Sequence, residues 1–166
     1  DIGPAGSEGE ELHLSRTGQM ELFAFRASGP YIAAEFTKEP KALLYLFDSV
    51  FSTNPLNYVS NMFLSSAVYA RFFLPQVHIL SKCDLLPAEE VNNILDWSED
   101  LTNLEKAIDE KLDEAKRLLS RNLMQAIHYL GLDFTLIPVS SKTNEGLIDL
   151  NASLERIFKG GEKITY

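Results

Sequence analysis

Gln76-Val77-His78-Ile79-Leu80-Ser81-Lys82-Cys83-Asp84-Leu85-Leu86 lies at the middle of the chain, and the elements on either side are arranged about it. An apolar run stops abruptly at Ser-Lys-x-Asp, and Leu-Leu-Pro follows. It reads as a buried strand that delivers a lysine and an aspartate to its carboxyl end. In open α/β sheets, ligands sit in the crevice beyond such ends. Lys82 and Asp84 lie two apart, so an extended backbone would place them on one side. The alternative is a strand closing in a charged, solvated turn. The short pattern alone does not choose between the two.

Upstream, Lys41 to Val50 reads as a second buried strand, Ala-Leu-Leu-Tyr-Leu-Phe followed by Asp48-Ser49-Val50. Thr53-Asn54-Pro55 makes a turn and a helix start. Val59, Met62, Phe63, Ala67, Ala70 and Phe73 recur at roughly helical spacing, and Pro75 ends the helix. Strand, helix, strand is a crossover unit and predicts a parallel sheet. Downstream, Pro87 opens a helical region, with a helix over Ala88 to Trp97. A long amphipathic stripe then runs from Leu101 to Leu130 through Leu104, Ile108, Leu112, Ala115, Leu119 and Ala126, read as one helix capped by Gly131. Asp133 to Val139 is a third strand ending in Ser140-Ser141-Lys142. Thr143-Asn144-Glu145-Gly146 opens a last helix with Leu147, Leu150, Leu154 and Phe158 on one face. Toward the amino end, Tyr31 to Phe36 predicts a short helix, and residues 1–14 read as a polar tail.

The 166 residues are one domain's worth of chain. A net charge of −9 argues against direct nucleic-acid binding and against an anionic membrane as partner. One cysteine excludes an internal disulfide and a cysteine zinc site, which fits a cytoplasmic protein. The three histidines form no metal-ligand pattern. No stretch is apolar for long enough to span a membrane.

Two loops then converge, Ser81-Lys82-Cys83-Asp84 after one strand and Ser140-Ser141-Lys142 after the next. Loops at the same edge of neighbouring strands can grip one base from two sides. A carboxylate on a tight turn accepts two parallel N–H bonds, as from the N1–H and 2-amino group of guanine; adenine offers no such pair. The Lys82 stem can lie along the base. Other residues carry plainer readings. Asp48 caps a turn, Cys83 packs, His78 sits in the core, His128 lies on the surface and Trp97 packs. Met62, Phe63, Tyr69, Phe72 and Phe73 are read mostly as core, with Tyr58, Asn61 and Arg71 at an interface rim.

Three segments carry a family resemblance: TGQMELFAFR (17–26), YLFDSVFSTNPLNYVSNMFLSSAVYARFFLPQVHILSKCDLL (45–86) and PVSSKTNEGLIDL (138–150). From Gly18 onward the chain resembles the GPN-loop GTPases, a dimeric branch of the P-loop GTPases. The resemblance implies a three-layer α/β domain with a mostly parallel sheet, spanning 15–166 with a helical insertion at about 87–130. It implies that Asp84 pairs with the guanine edge, Lys82 lies over the base and Ser81 stands where Asn, Thr or Ser is usual. Ser141 would offer an N–H to the guanine 6-oxygen, with Lys142 flanking. Gly18 would bind the γ-phosphate, and Gln19 would position the attacking water. It further implies GTP and GDP as ligands, Mg2+ as cofactor, and a homodimer or a related GPN-loop subunit as partner. The implied role is a GTP-hydrolysing switch in the assembly of larger complexes, RNA polymerase among them in eukaryotic relatives.

The sequence also departs from the family. The phosphate-sensing Asp-Thr-Pro-Gly-Gln reads Ser15-Arg16-Thr17-Gly18-Gln19 here, with Ser15 in place of the aspartate of the magnesium shell. No G-x-x-x-x-G-K-[ST] occurs, and Gly3-Pro4-Ala5 puts alanine where the Gly-Pro-Asn loop has asparagine. The domain is therefore expected to be incomplete at its amino end, with an altered junction before Thr17. It is expected to leave a sheet edge and an apolar face open, and to hydrolyse nothing by itself. The alternative function is a non-catalytic interaction domain that keeps the GTPase scaffold. An ATPase of similar architecture is disfavoured by Asp84.

Overall fold

A computed structural model describes residues 24–35, 38–111, 114–131 and 134–160. Among them, α1 (Ser28–Glu35) precedes β1 (Leu43–Asp48), α2 (Ser49–Ser52), α3 (Pro55–Phe72) and β2 (Gln76–Ser81). A 3-10 turn (Cys83–Leu85) leads to α4 (Ala88–Glu99), α5 (Leu101–Lys111) and α6 (Glu114–Leu130). The chain returns through β3 (Leu136–Val139) to α7 (Leu147–Gly160). The strands form one parallel sheet in the order β1-β2-β3.

Local chemistry explains most of the boundaries. Asp48 ends β1 two residues earlier than the apolar run suggests, because its carboxylate accepts the Phe51 N–H at 3.1 Å and caps α2. Asn54 caps α3 by accepting the Leu56 N–H at 3.0 Å, and Pro55 occupies the first helical position. The helix closes on Phe73, left-handed at φ 50°, with Pro75 just beyond. Phe73 is exposed there rather than in the core, because the left-handed cap turns the chain away. Gly131, at φ 61°, terminates α6 as its position predicts.

The stripe from Leu101 to Leu130 is two helices, not one. In a single helix Asp109 and Arg121 would stand about 18 Å apart along the axis. Instead the Arg121 guanidinium meets Asp109 at 2.6 Å, so the chain folds back into a hairpin. The first arm buries Leu104 and Ile108 as the stripe predicts, but the second buries Met124 and Ile127 and exposes Leu119 and Ala126, which the stripe had placed on the apolar face.

Alternation along the strands splits the interior into two layers. On one face Phe47, Leu80 and Leu136 pack with Tyr58, Val59 and Met62 of α3, Ile94 of α4 and Leu104, Ile108, Met124 and Ile127 of the hairpin. Each such side chain, fully buried, contributes about 1.5–3 kcal/mol. Tyr58 is fully buried against Phe47 and Trp97, so it lies in the core and not at an interface rim. His78 is also core: it stacks on Phe134, and Ser65 Oγ lies 2.6 Å from its Nε2. On the other face Val77, Ile79 and Val139 meet Leu150, Leu154 and Ile157 of α7. The result is helices, sheet and helix in three layers, with the strand ends level along one edge. Among the described residues β1 pairs only with β2, and Leu46 on its outer part is 62% exposed. No helix among them is long and apolar enough to cross a membrane.

Candidate functional site

Asp48 of β1 is in register with Ser81 of β2, and Ser81 with Val139 of β3. The three carboxyl ends therefore present Asp48, Lys82 with Asp84, and Ser140 side by side. Two serines tie the first two ends together. Ser81 Oγ donates to the Phe47 carbonyl at 3.0 Å, and Ser49 Oγ donates to the Lys82 carbonyl at 2.9 Å.

Lys82 takes the left-handed conformation, φ 62° and ψ 37°, which costs a non-glycine residue about 1–2 kcal/mol. That step ends the extended backbone, so Lys82 and Asp84 do not share one side as their spacing suggested. Cys83 turns inward, with its Sγ 3.0 Å from the Leu80 carbonyl, and burial raises its thiol pKa. Lys82 Nζ reaches back to Asp48 Oδ2 at 2.7 Å. The Lys82 hydrogen bond is the main reason the Asp48 carboxyl titrates below the usual carboxylate range. Asp84 turns the other way and accepts a hydrogen bond from Ser140 Oγ at 2.6 Å.

Ser140 is the centre of the second loop. It is fully buried, and its Oγ also accepts the N–H groups of Lys142 and Thr143, each at 3.2 Å. Its own N–H donates to the Glu145 carbonyl at 3.1 Å and closes the turn. Ser141 and Lys142 are exposed on that turn, and no acceptor meets the Ser141 N–H among the described residues. Ser140→Ala should lower stability by about 1–2 kcal/mol, because one hydroxyl serves three partners. Urea unfolding of the two chains checks this; a change under a few tenths would show that the turn holds itself.

Of the residues singled out in the sequence, Ser81, Lys82, Asp84, Ser141 and Lys142 come together at this edge. Gly18 and Gln19 lie outside the described residues. Ser81 spends its hydroxyl on the β1 backbone. Sequence reasoning underrated Asp48 and Ser140. Each is among the first polar residues after an apolar run, and serine there commonly bonds backbone two or three residues on. A separate hollow lined by Leu101, Glu105, Met124, His128 and Tyr129 belongs to α5 and α6 and holds none of these residues. Among the described residues no three His, Cys, Asp or Glu side chains gather to hold a metal.

Comparison with known proteins now bears on the arrangement. Residues 11–160 match a family model described as a conserved hypothetical ATP binding protein. The chain is 31% identical over 146 residues to GPN-loop GTPase 2 homolog of Dictyostelium discoideum, covering 84% of this chain and 46% of that protein. It is 27% identical over 145 residues to GPN-loop GTPase 1 of Saccharomyces cerevisiae, covering 80% of this chain and 36% of that one. The chain thus spans less than half the length of these relatives. The fold is shared with the apo crystal structure of a GTPase from Pyrococcus abyssi, at a TM-score of 0.72 and 24% identity, over 85% of this chain and 56% of that one. With a family model matching residues 11–160 and GPN-loop GTPase relatives covering 80% and 84% of this chain, the chain belongs to the GPN-loop GTPase family.

Proposed function

We propose that this sheet edge reads the guanine base of GTP and GDP, and that Asp84 is the reading group. The Asp84 carboxylate carries the proposal. Ser140 fixes Oδ1, which keeps a second lone pair, while Oδ2 accepts nothing among the described residues. A carboxylate held in this way at an exposed strand end suits the parallel N1–H and 2-amino donors of guanine. Adenine lacks that pair, which favours the GTPase names of the relatives over the ATP wording of the family model. The Lys82 stem lies along the base, the Ser141 N–H donates to the 6-oxygen, and Lys142 flanks. Ser81 supports the turn from behind. Gly18 contributes an N–H to the γ-phosphate and Gln19 orients water.

The parent activity is hydrolysis of GTP to GDP and phosphate with Mg2+, serving as a switch in complex assembly. We assign it to a cytoplasmic homodimer or a pair of related GPN-loop subunits, with RNA polymerase assembly as one destination. Among the described residues no cluster of three His, Cys, Asp or Glu side chains stands ready to hold Mg2+. The sequence contains no G-x-x-x-x-G-K-[ST] loop, and phosphate contacts dominate nucleotide binding in such sites. The chain by itself therefore binds guanine nucleotide weakly and does not hydrolyse it. A second reading is a non-catalytic interaction domain on the GTPase scaffold.

Calorimetric titration with GDP, a non-hydrolysable GTP analogue and ADP, with Mg2+ present, separates the two. Base reading predicts GDP binding at roughly micromolar or weaker affinity and none for ADP. Equal binding of ADP would remove Asp84 as the reader. No binding of any nucleotide would favour the interaction domain.

A further inference from the structure

We propose that Asp48 is a positioning residue that draws Lys82 away from Asp84 and so keeps the Asp84 carboxylate open to the base. The inference rests on the reading of Asp84 as the base-recognising group. A lysine two residues before an aspartate on one tight turn is that aspartate's nearest counter-charge. Its four-carbon stem is long and flexible enough to reach it. Ammonium N–H donors on Asp84 would occupy the lone pairs that the guanine N1–H and 2-amino group need. The turn thus carries its own competitor for the ligand.

The structure resolves this conflict by placing the ammonium elsewhere, on Asp48 Oδ2 at 2.7 Å. Three contacts fix the diversion. Lys82 is left-handed, so its side chain leaves the turn toward β1. Ser49 Oγ, fully buried, holds the Lys82 carbonyl at 2.9 Å. Asp48 is itself anchored, because its Oδ1 caps α2 through the Phe51 N–H at 3.1 Å while Oδ2 takes the lysine. On the opposite side Ser140 holds Asp84 toward β3. The turn after β2 is thus drawn apart from both sides, its cation toward one strand and its anion toward the other. Among the described residues, Glu145 and Lys142 on the loop that follows Ser140 are further charged groups on this side. Asp48 is the carboxylate that Lys82 has chosen.

The test uses Asp48→Asn in the full chain. Asparagine caps helices as well as aspartate does, so α2 is kept while the charge is lost. Asp48→Ser, also a capping residue, serves as a second variant. The readout is the titration of the Asp84 side-chain carboxyl carbon by NMR, without nucleotide. Lys82 released from Asp48 should move to Asp84 and lower its midpoint by about half a unit, the size expected of an exposed ion pair. In a Lys82→Met background the same substitution should leave the midpoint where it was. An Asp84 midpoint that ignores the loss of Asp48, or that shifts equally without the lysine, overturns the proposal. In calorimetry Asp48→Asn should weaken GDP binding about threefold, and this loss should vanish in the Lys82→Met background. If the wild-type chain binds no GDP while the Asp84 shift depends on Lys82, the guanine reading fails and the diversion of Lys82 stands.

Discussion

Gly146→Ala is expected to destabilise the chain by about 3 kcal/mol, and to lower Tm by roughly 6–12 °C. Gly146 sits at φ 74°, where any L side chain is strained. A Cβ there would lie 1.8 Å from the Pro138 carbonyl oxygen and 2.9 Å from its carbon. Both are backbone atoms of β3 and cannot swing aside as a flexible side chain would. Either α7 must shift from the sheet or the Ser140 turn must open, and Ser140 then loses its hold on Asp84. Gly131→Ala is the built-in comparison. Its φ is 61°, and nothing lies within 4 Å of its virtual Cβ. It should cost only about 1 kcal/mol, the price of the left-handed backbone alone. Urea unfolding of both variants isolates the contact. Equal losses would mean that backbone conformation, not the approach to Pro138, selects glycine at 146.

Asp84→Asn carries the largest expected effect on ligand choice. It should weaken GDP binding by roughly a hundredfold, because an amide cannot accept from both guanine donors. It should also create affinity for xanthosine diphosphate, whose 2-oxo group accepts from the new amide while its N1–H donates to the amide oxygen. Stability should change by less than about 1 kcal/mol, since the amide oxygen of the variant can still accept the Ser140 hydroxyl. Paired calorimetric titrations with GDP and xanthosine diphosphate check this, with an unfolding curve as control. An unchanged preference for guanine would remove Asp84 from base recognition whatever the stability result.

The apolar run of Val77 to Leu80 and the proline-bounded helix before it made the parallel crossover legible. Both signals are local: burial on two faces for the strand, and a cap with Pro55 and Pro75 for the helix. The hairpin of α5 and α6 was hidden for a physical reason. Leu101, Leu104, Ile108, Leu112, Ala115, Leu119, Ala126 and Leu130 keep a helical period as a sequence, yet the second arm buries Met124 and Ile127 and leaves Leu119 and Ala126 exposed. The Asp109–Arg121 contact that shows the two arms side by side is tertiary. At the site, Lys82 and Asp84 were visible as residues but their directions were not. The left-handed step at Lys82 reflects its carbonyl bond to Ser49 and its ion pair with Asp48, both distant in sequence. Ser140 was legible as part of its loop, yet its pairing with Asp84 needed the register of β2 and β3.

The two ties that shape the turn after β2 close chain segments of different size. Lys82 reaches Asp48 across 34 residues, while Asp84 reaches Ser140 across 56. As bare chain, the longer closure costs about 0.4 kcal/mol more configurational entropy. The shorter one is spanned by a single long helix, α3, and the longer one by three, α4, α5 and α6. The lysine's anchorage thus belongs to the β1-α3-β2 crossover, and the aspartate's to the docking of β3 beyond three helices. The edge that faces the base is thus closed by one shorter-range and one longer-range tie, and the Asp84 side depends on the longer segment.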